Sequence, residues 1–255
     1  MHCSYRWLGF VATALTLFDH VGARLLNAQG VNVSVGVLVR ENSSSKGGTR
    51  HSTEGSPANV VVWLTPASAQ TLRAADGLRN SDAQHAGPFR MLQKEKQFTP
   101  HMLVVPTGSS VEFPNRDPFF HNVFSLFNGK RFDLGMYESG TTRFVRFDRE
   151  GVSYIFCNIH PEMGAVVLAL STPYYGVSGA DGAVVLHAVP PGSYRLNVWS
   201  ETAQPADAEL AQRMVTVGGE PIRLGAIVLQ TTANPMRGHR NKFGEEYRPE
   251  HGSPY

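Results

Sequence analysis

The chain of 255 residues is long enough for one large or two small domains. Its 23 basic and 21 acidic residues leave a net charge of +2, which gives no indication of nucleic-acid binding. A hydrophobic fraction of 42% excludes a disordered chain, and 25 glycines and 16 prolines favour short strands joined by turns. The composition also excludes collagen, a coiled coil, a multi-pass membrane protein and a disulfide scaffold.

The first 28 residues have the pattern of an export signal. Arg6 precedes the apolar run Trp7 to Phe18, which is too short to span roughly 30 Å of hydrocarbon as a helix. Small residues around Ala23 and at Ala28 offer cleavage sites. We predict a signal peptide over 1–28 and a mature protein that is periplasmic or secreted and does not span a membrane. A buried N-terminal helix is the alternative interpretation.

The last residues, 232–255, are rich in proline, glycine and charge and lack apolar periodicity. This composition predicts a disordered tail in which His239 and His251 are solvated. Removal of the tail from Thr232 onward is therefore expected to have no effect.

Strand signals recur between the two ends. Apolar residues alternate in Val31–Val39, whereas Val60–Leu64 is apolar throughout, as in a strand buried on both faces or at a sandwich core. The signals then recur every 8 to 20 residues or so, with turns between them, which is typical of a β-sandwich or barrel. The predicted strands are Met102–Val105, Ser110–Phe113, His121–Phe124, Thr142–Phe147, Val152–Phe156, Ala165–Leu170, Ala183–Leu186, Tyr194–Trp199 and Ile222–Leu229.

A short stretch near the middle of the chain combines three metal-binding side chains. Cys157, His160 and Met163 stand at positions i, i+3 and i+6, so one tight loop between strands can turn all three towards one point. Thiolate, imidazole and thioether together favour copper, and two histidines, a cysteine and a weak axial methionine form a blue-copper site. The second histidine must then come from elsewhere, and His121 stands at the start of a predicted strand.

These motifs resemble the cupredoxins, over about Phe98 to Ser171, and the short ligand loop is most similar to that of amicyanin. The resemblance implies a Greek-key β-sandwich that holds one type 1 copper ion through His121, Cys157, His160 and Met163. Asn122 matches the asparagine that, in this family, hydrogen-bonds the cysteine loop. Taken singly, each of these residues is more often a core or surface residue, and zinc is the chemical competitor for a Cys and His set.

The flanking segments resemble the carboxypeptidase regulatory-like, transthyretin-type sandwich. The resemblance rests on Ser34–Arg40, Ser56–Leu64, the Asp181-Gly182 turn and Val189–Leu196. We therefore expect an all-β protein in which a cupredoxin domain, 86–172, is inserted into a second, transthyretin- or immunoglobulin-like sandwich formed by 29–85 and 173–231. Two sandwiches sharing a continuous edge are the alternative. The order of motifs is similar to that of exported proteins related to methylamine utilisation.

The resemblance implies a one-electron carrier rather than an enzyme. A redox partner protein, cytochrome- or dehydrogenase-like, is expected to dock transiently near His160, beside Pro161. A copper oxidase or nitrite reductase would need a second copper centre, typically reached through a histidine next to the cysteine, and Cys157 is flanked by Phe156 and Asn158. Copper delivery, sensing or storage is the alternative function.

Overall fold

The computed structural model describes residues 30–43, 51–69, 71–72, 88–126, 129–231 and 239–247. The predicted signal peptide lies outside these ranges. The described chain is nearly all β, which confirms the predicted fold class, and it includes a short helix, α1 (Pro205–Ala211). In that part of the protein, no helix has the length and apolar character needed to cross a membrane.

In chain order, the strands are β1 (Val31–Ser43), β2 (His51–Gly55), β3 (Val61–Pro66), β4 (Phe89–Arg90), β5 (Leu92–Lys94), β6 (Gln97–Thr99), β7 (Met102–Pro106), β8 (Ser110–Pro114), β9 (His121–Ser125), β10 (Phe132–Tyr137), β11 (Thr142–Arg146), β12 (Gly151–Phe156), β13 (Gly164–Leu170), β14 (Tyr175–Val177), β15 (Ala183–Val189), β16 (Gly192–Trp199), β17 (Arg213–Val217), β18 (Ile222–Arg223) and β19 (Ile227–Gln230).

One sandwich is built from the two ends of the described chain. The first half of the long strand β1 pairs antiparallel with β15 and parallel with β18. Its second half pairs antiparallel with β2 and parallel with β19. The facing sheet has the order β14-β3-β16-β17. Odd-numbered valines of β1 from Val31 to Val39 are buried between the sheets because side chains alternate along a strand. The earliest strands thus pair with strands that follow the middle sandwich in the chain.

The second sandwich is built from the middle of the chain. Its larger sheet has the order β10-β9-β12-β13-β7, and the sheet β11-β8-β4 faces it. The core between them contains aromatic side chains such as Phe113 and Phe147 together with Cys157 and Met163. Two of the candidate metal ligands, Cys157 and Met163, therefore belong to the hydrophobic core of this sandwich.

The two sandwiches pack against each other through strands buried on both faces. Val62 and Leu64 of β3 face the first core, whereas Val61 joins a third cluster with Leu168 and Leu170 of β13. A strand covered on both sides needs apolar residues throughout, which explains the uninterrupted apolar runs of β3 and β13. A polar contact also spans this junction, since Nε2 of His101 lies 2.6 Å from a carboxylate oxygen of Glu201.

Candidate metal centre

The first candidate ligand, His121, begins a strand that is buried along its whole length. β9 lies between β10 and β12, and His121 has no exposed surface. The turn before it is shaped by Asn115, whose side-chain oxygen accepts a hydrogen bond from the Asp117 N–H at 3.0 Å. The Asn115 amide group also donates to the carbonyl oxygen of Phe119 at 2.8 Å. These bonds fix the turn that delivers His121 into the core.

The other candidate ligands lie on the connection between β12 and β13. The N–H of Cys157 donates to the carbonyl oxygen of Met163 at 3.3 Å, and the N–H of Met163 donates to that of His160 at 3.1 Å. These two bonds close the loop at the point where β13 begins. Cys157, His160 and Met163 are all buried, with exposed fractions of 0%, 2% and 0%. The predicted tight loop is therefore present.

The loop and β9 bring three donor atoms to one point. Nδ1 of His121 lies 3.1 Å from Nδ1 of His160, and Sγ of Cys157 lies 3.8 Å and 3.5 Å from these two nitrogens. A point equidistant from the three atoms is about 2 Å from each, close to the roughly 2.0–2.3 Å of metal–nitrogen and metal–sulfur bonds. The three side chains therefore have the separations that a shared metal ion requires.

A buried carboxylate sets the protonation of His121. Nε2 of His121 lies 2.7 Å from Oδ2 of Asp117, so that nitrogen donates its proton and Nδ1 keeps its lone pair. Burial lowers the pKa of His121 and outweighs the opposite effect of the Asp117 carboxylate. The imidazole is thus neutral near neutral pH, with its free nitrogen directed at Cys157 and His160. Neutral imidazole is the form that binds metal ions.

The sulfur of Cys157 is held in a site that suits a metal-bound thiolate. Burial raises the pKa of Cys157, while hydrogen bonds from the backbone N–H groups of Asn122, Ile159 and His160 act in the opposite direction. A thiol buried in this way keeps its proton until a cation compensates the charge of the thiolate. The three N–H groups are already in position to stabilise that charge.

An aromatic ring borders the two histidines. The Phe119 ring centroid lies 5.2 Å from that of His121 and 5.7 Å from that of His160. The side chain of Lys96 approaches Phe119, with Nζ at 5.7 Å from the ring centroid. Phe119 itself is half-buried, so it separates the two imidazole rings from solvent on this side.

The structure brings together three of the predicted ligands, His121, Cys157 and His160. Met163 closes the loop and shares their core, and its role as a ligand stays a prediction. Asn122 directs its backbone N–H at the Cys157 sulfur, and its side chain donates to Asp133 at 2.7 Å.

Two features of the site were missed by the sequence analysis. Asp117 stands four residues before His121, in a turn, where an acidic residue is usually solvated. Residues 239–247, assigned to a disordered tail, are placed against the cysteine loop, which corrects that part of the prediction. His239 in particular is half-buried and stacked on Phe156 rather than solvated, whereas His251 lies outside the described residues.

Comparison with known proteins gives matches among solved structures alone. No family model and no curated protein matches the chain. A copper-containing nitrite reductase from Thermus scotoductus SA-01 is 23% identical with a TM-score of 0.31, and the match covers 32% of this chain and 22% of that one. A purple cupredoxin from Nitrosopumilus maritimus is 24% identical with a TM-score of 0.29, covering 32% and 99% of the two chains. Amicyanin from Paracoccus versutus is 19% identical with a TM-score of 0.31, covering 34% and 88%. The neighbours are thus cupredoxins that span about a third of this chain.

Proposed function

We propose that the protein is a type 1 copper protein that carries single electrons. The observation that supports this most directly is the convergence of one cysteine sulfur and two imidazole nitrogens, 3.1 to 3.8 Å apart, inside a hydrophobic core. A soft thiolate combined with imidazoles suits copper, and the buried Met163 would add a second, weaker sulfur ligand. A structural zinc site would favour more thiolates and would gain little from a methionine.

Copper bound there would supply reversible one-electron chemistry between Cu(II) and Cu(I). The chain contributes a rigid frame, because His121 begins a buried strand and Cys157 and His160 lie in a loop closed by backbone hydrogen bonds. Such a frame holds one ligand geometry for both oxidation states, so that little rearrangement accompanies electron transfer. Asp117 orients His121, and the N–H groups around Cys157 lower the energy of its thiolate form.

The proposal includes export and a transient partner. Residues 1–28 have the pattern of a signal peptide, and a periplasmic or secreted location follows from that pattern. His160 is flanked by exposed residues, Ile159 and Pro161, so a redox protein that docks there would come close to a copper ligand. A small interface of this kind suits short-lived electron-transfer complexes.

The first sandwich is proposed to be a regulatory-like module interrupted by the copper domain. This assignment is supported by the pairing of β1 with β15 and of β3 with β16, which joins segments separated by the middle sandwich. The boundaries 29–85, 86–172 and 173–231 follow from that reading of the sequence.

Titration with Cu(II) tests the proposal. We expect an intense visible thiolate-to-copper band, which Cys157→Ser and His160→Gln abolish together with most of the copper affinity. His187→Gln is the matched control, because His187 is exposed on β15 in the other sandwich and should keep the band. A colourless copper complex of the wild-type protein would refute a type 1 site.

Cyclic voltammetry separates electron transfer from copper delivery. A carrier keeps its copper through repeated oxidation and reduction, so the signal stays reversible in the presence of a Cu(I) chelator. If the chelator removes copper rapidly after reduction, the protein delivers copper instead, and the electron-carrier proposal fails.

A further inference from the structure

The segment 239–247 lies on the outer side of the cysteine loop. The hydroxyl of Tyr247 donates a hydrogen bond to the carbonyl oxygen of Cys157 at 2.8 Å. The backbone N–H of Lys242 donates to the side-chain oxygen of Asn158 at 3.0 Å. Two consecutive residues of the ligand loop are thus bonded to a segment that follows them by more than eighty positions. We call residues 239–247 the C-terminal strap.

Ring contacts attach the strap to the end of β12. The His239 ring stacks on Phe156 with centroids 4.0 Å apart and an interplanar angle of 19°. Tyr247 meets the His239 ring edge-on at a centroid distance of 5.2 Å. Phe156 is the residue immediately before Cys157, and its ring also packs against Phe124 of β9, with centroids 5.9 Å apart. The strap therefore extends an aromatic cluster that already flanks the sulfur ligand.

A charged contact ties the strap to the strand pair that carries His121. Nζ of Lys242 lies 2.6 Å from Oδ2 of Asp133 on β10, and the other oxygen of Asp133 accepts the side-chain amide of Asn122. Burial alone would raise the pKa of Asp133, but the hydrogen bonds from Lys242, Gly135 and Asn122 lower it overall. The carboxylate is therefore ionised at neutral pH and links the strap to Asn122, whose own N–H is directed at Cys157.

The strap has internal structure that suits this role. The side-chain oxygen of Asn241 accepts hydrogen bonds from the N–H groups of Phe243 and Glu245, at 2.9 and 3.0 Å. Gly244 has a φ of 80°, which favours glycine in the turn that these bonds close. The turn leaves Phe243 exposed and directs Lys242 and Tyr247 to the loop. These contacts are specific polar and stacking interactions rather than general apolar burial.

We propose that the C-terminal strap is a working part of the metal centre, with Tyr247 and Lys242 as positioning residues that restrain the peptide of Cys157. The proposal rests on the proposed copper site for its redox consequence, whereas the restraint itself concerns the chain alone. Without the strap, the loop from Cys157 to Met163 would be held by its own two backbone bonds and its core contacts. With it, the carbonyl of the thiolate ligand also has an external donor. The positive end of the Tyr247 hydroxyl dipole faces the carbonyl oxygen of Cys157, and added positive potential beside the thiolate ligand favours the reduced state.

The restraint can be measured in metal-free, full-length protein by the rate at which iodoacetamide alkylates Cys157. Loss of a hydrogen bond worth about 0.5–1.5 kcal/mol should make local opening, and therefore alkylation, roughly two- to tenfold faster. We expect this rate increase for Tyr247→Phe, which keeps the ring, and a larger one for a chain that ends at Thr231. Phe144→Ser is the control, because Phe144 lies on β11 of the same sandwich, outside the strap, and is 58% exposed, so this variant should react at the wild-type rate.

The consequence for the metal is read in the copper-loaded variants. Tyr247→Phe should shift the thiolate-to-copper band and lower the reduction potential relative to both wild type and Phe144→Ser. Equal alkylation rates in wild type, Tyr247→Phe and the shortened chain would overturn the proposal. Faster alkylation with an unchanged band and potential would overturn the claim that the strap acts on the metal. A wild-type protein that takes up no copper would refute the proposed function, and the alkylation rates would still decide whether the strap restrains Cys157.

Discussion

Replacement of Asp117 by asparagine should weaken metal binding although Asp117 touches no metal ion. The carboxylate accepts a hydrogen bond from Nε2–H of His121 at 2.7 Å, and two more from the backbone N–H groups of Glu95 and Lys96, at 2.6 and 3.0 Å. An amide offers one acceptor and one donor group in the same space. If its NH₂ faces His121, Nε2 must accept and the proton moves to Nδ1, which can then no longer bind a metal. If its oxygen faces His121, that oxygen also accepts from the Lys96 N–H, and the NH₂ meets the backbone N–H of Glu95, which is itself a donor.

The size of the effect follows from this loss of orientation. Residues that orient a metal-binding histidine typically contribute about 10- to 100-fold in metal affinity. We therefore expect Asp117→Asn to weaken copper and zinc binding by about that factor. Stability should also fall, by about 1–3 kcal/mol, because a charge-assisted acceptor of buried groups is lost.

The assay is a competition titration against a chromophoric chelator, paired with urea unfolding of the metal-free protein. Asp148→Asn is the control, since Asp148 is an exposed carboxylate of the same domain that pairs with Lys130. The control should keep the wild-type metal affinity. Wild-type affinity in Asp117→Asn, with the fold intact, would refute the reasoning that Asp117 sets the protonation of His121.

Three further predictions concern the axial ligand, the junction and the domain arrangement. Met163→Leu should keep copper and colour while raising the reduction potential, since loss of a sulfur donor disfavours Cu(II); unchanged voltammetry would mean that Met163 only fills the core. The hydrogen bond to the Glu201 carboxylate raises the pKa of His101. The stability that this hydrogen bond contributes is therefore complete below about pH 6.5 and is lost as the pH rises through the raised pKa. The difference in unfolding free energy between wild type and Glu201→Gln should accordingly shrink as the pH rises above about 6.5, and a constant difference would contradict the His101–Glu201 pairing. A fragment spanning Gln93–Leu229 lacks Val31–Leu64, and with it β1 and β3, so we expect poor solubility; a soluble, cooperatively folding fragment would refute the split sandwich.

Strands with regular patterns could be predicted from the sequence, and irregular ones could not. The alternation in Val31–Val39 and the apolar run in Val60–Leu64 correspond to β1 and β3. β10 was missed because its pairing with β9 is irregular between Asp133 and Met136, so its side chains do not alternate cleanly. Trp63 and Trp199 are half-buried against the third cluster, between the sandwiches. Contacts between two packed sandwiches leave no periodic hydrophobic pattern in the sequence, so they could not be predicted from it.

The candidate ligands were accessible to sequence analysis because chemistry limits which side chains bind soft metals. Cysteine, histidine and methionine at a spacing of three residues form a rare combination. The second histidine, His121, could be proposed because it stands at the start of a predicted strand. Asp117 and the C-terminal strap carry no such signal. A buried carboxylate in a turn has the same local sequence as a solvated one, and the strap is held by single polar and ring contacts, without an apolar pattern.

The place of β1 in its sheet has a consequence for synthesis on the ribosome. β1 is made first, but its partners β15, β18 and β19 follow some 150 to 190 residues later. At roughly 5–20 residues per second, β1 waits on the order of 10 to 40 seconds before these three strands exist, whereas its remaining partner β2 follows it directly. All strands of the middle sandwich are complete within that interval, and its candidate ligands are then all present. The middle sandwich, which contains the candidate ligands, can therefore fold before the first sandwich has all of its strands. The first sandwich is completed last.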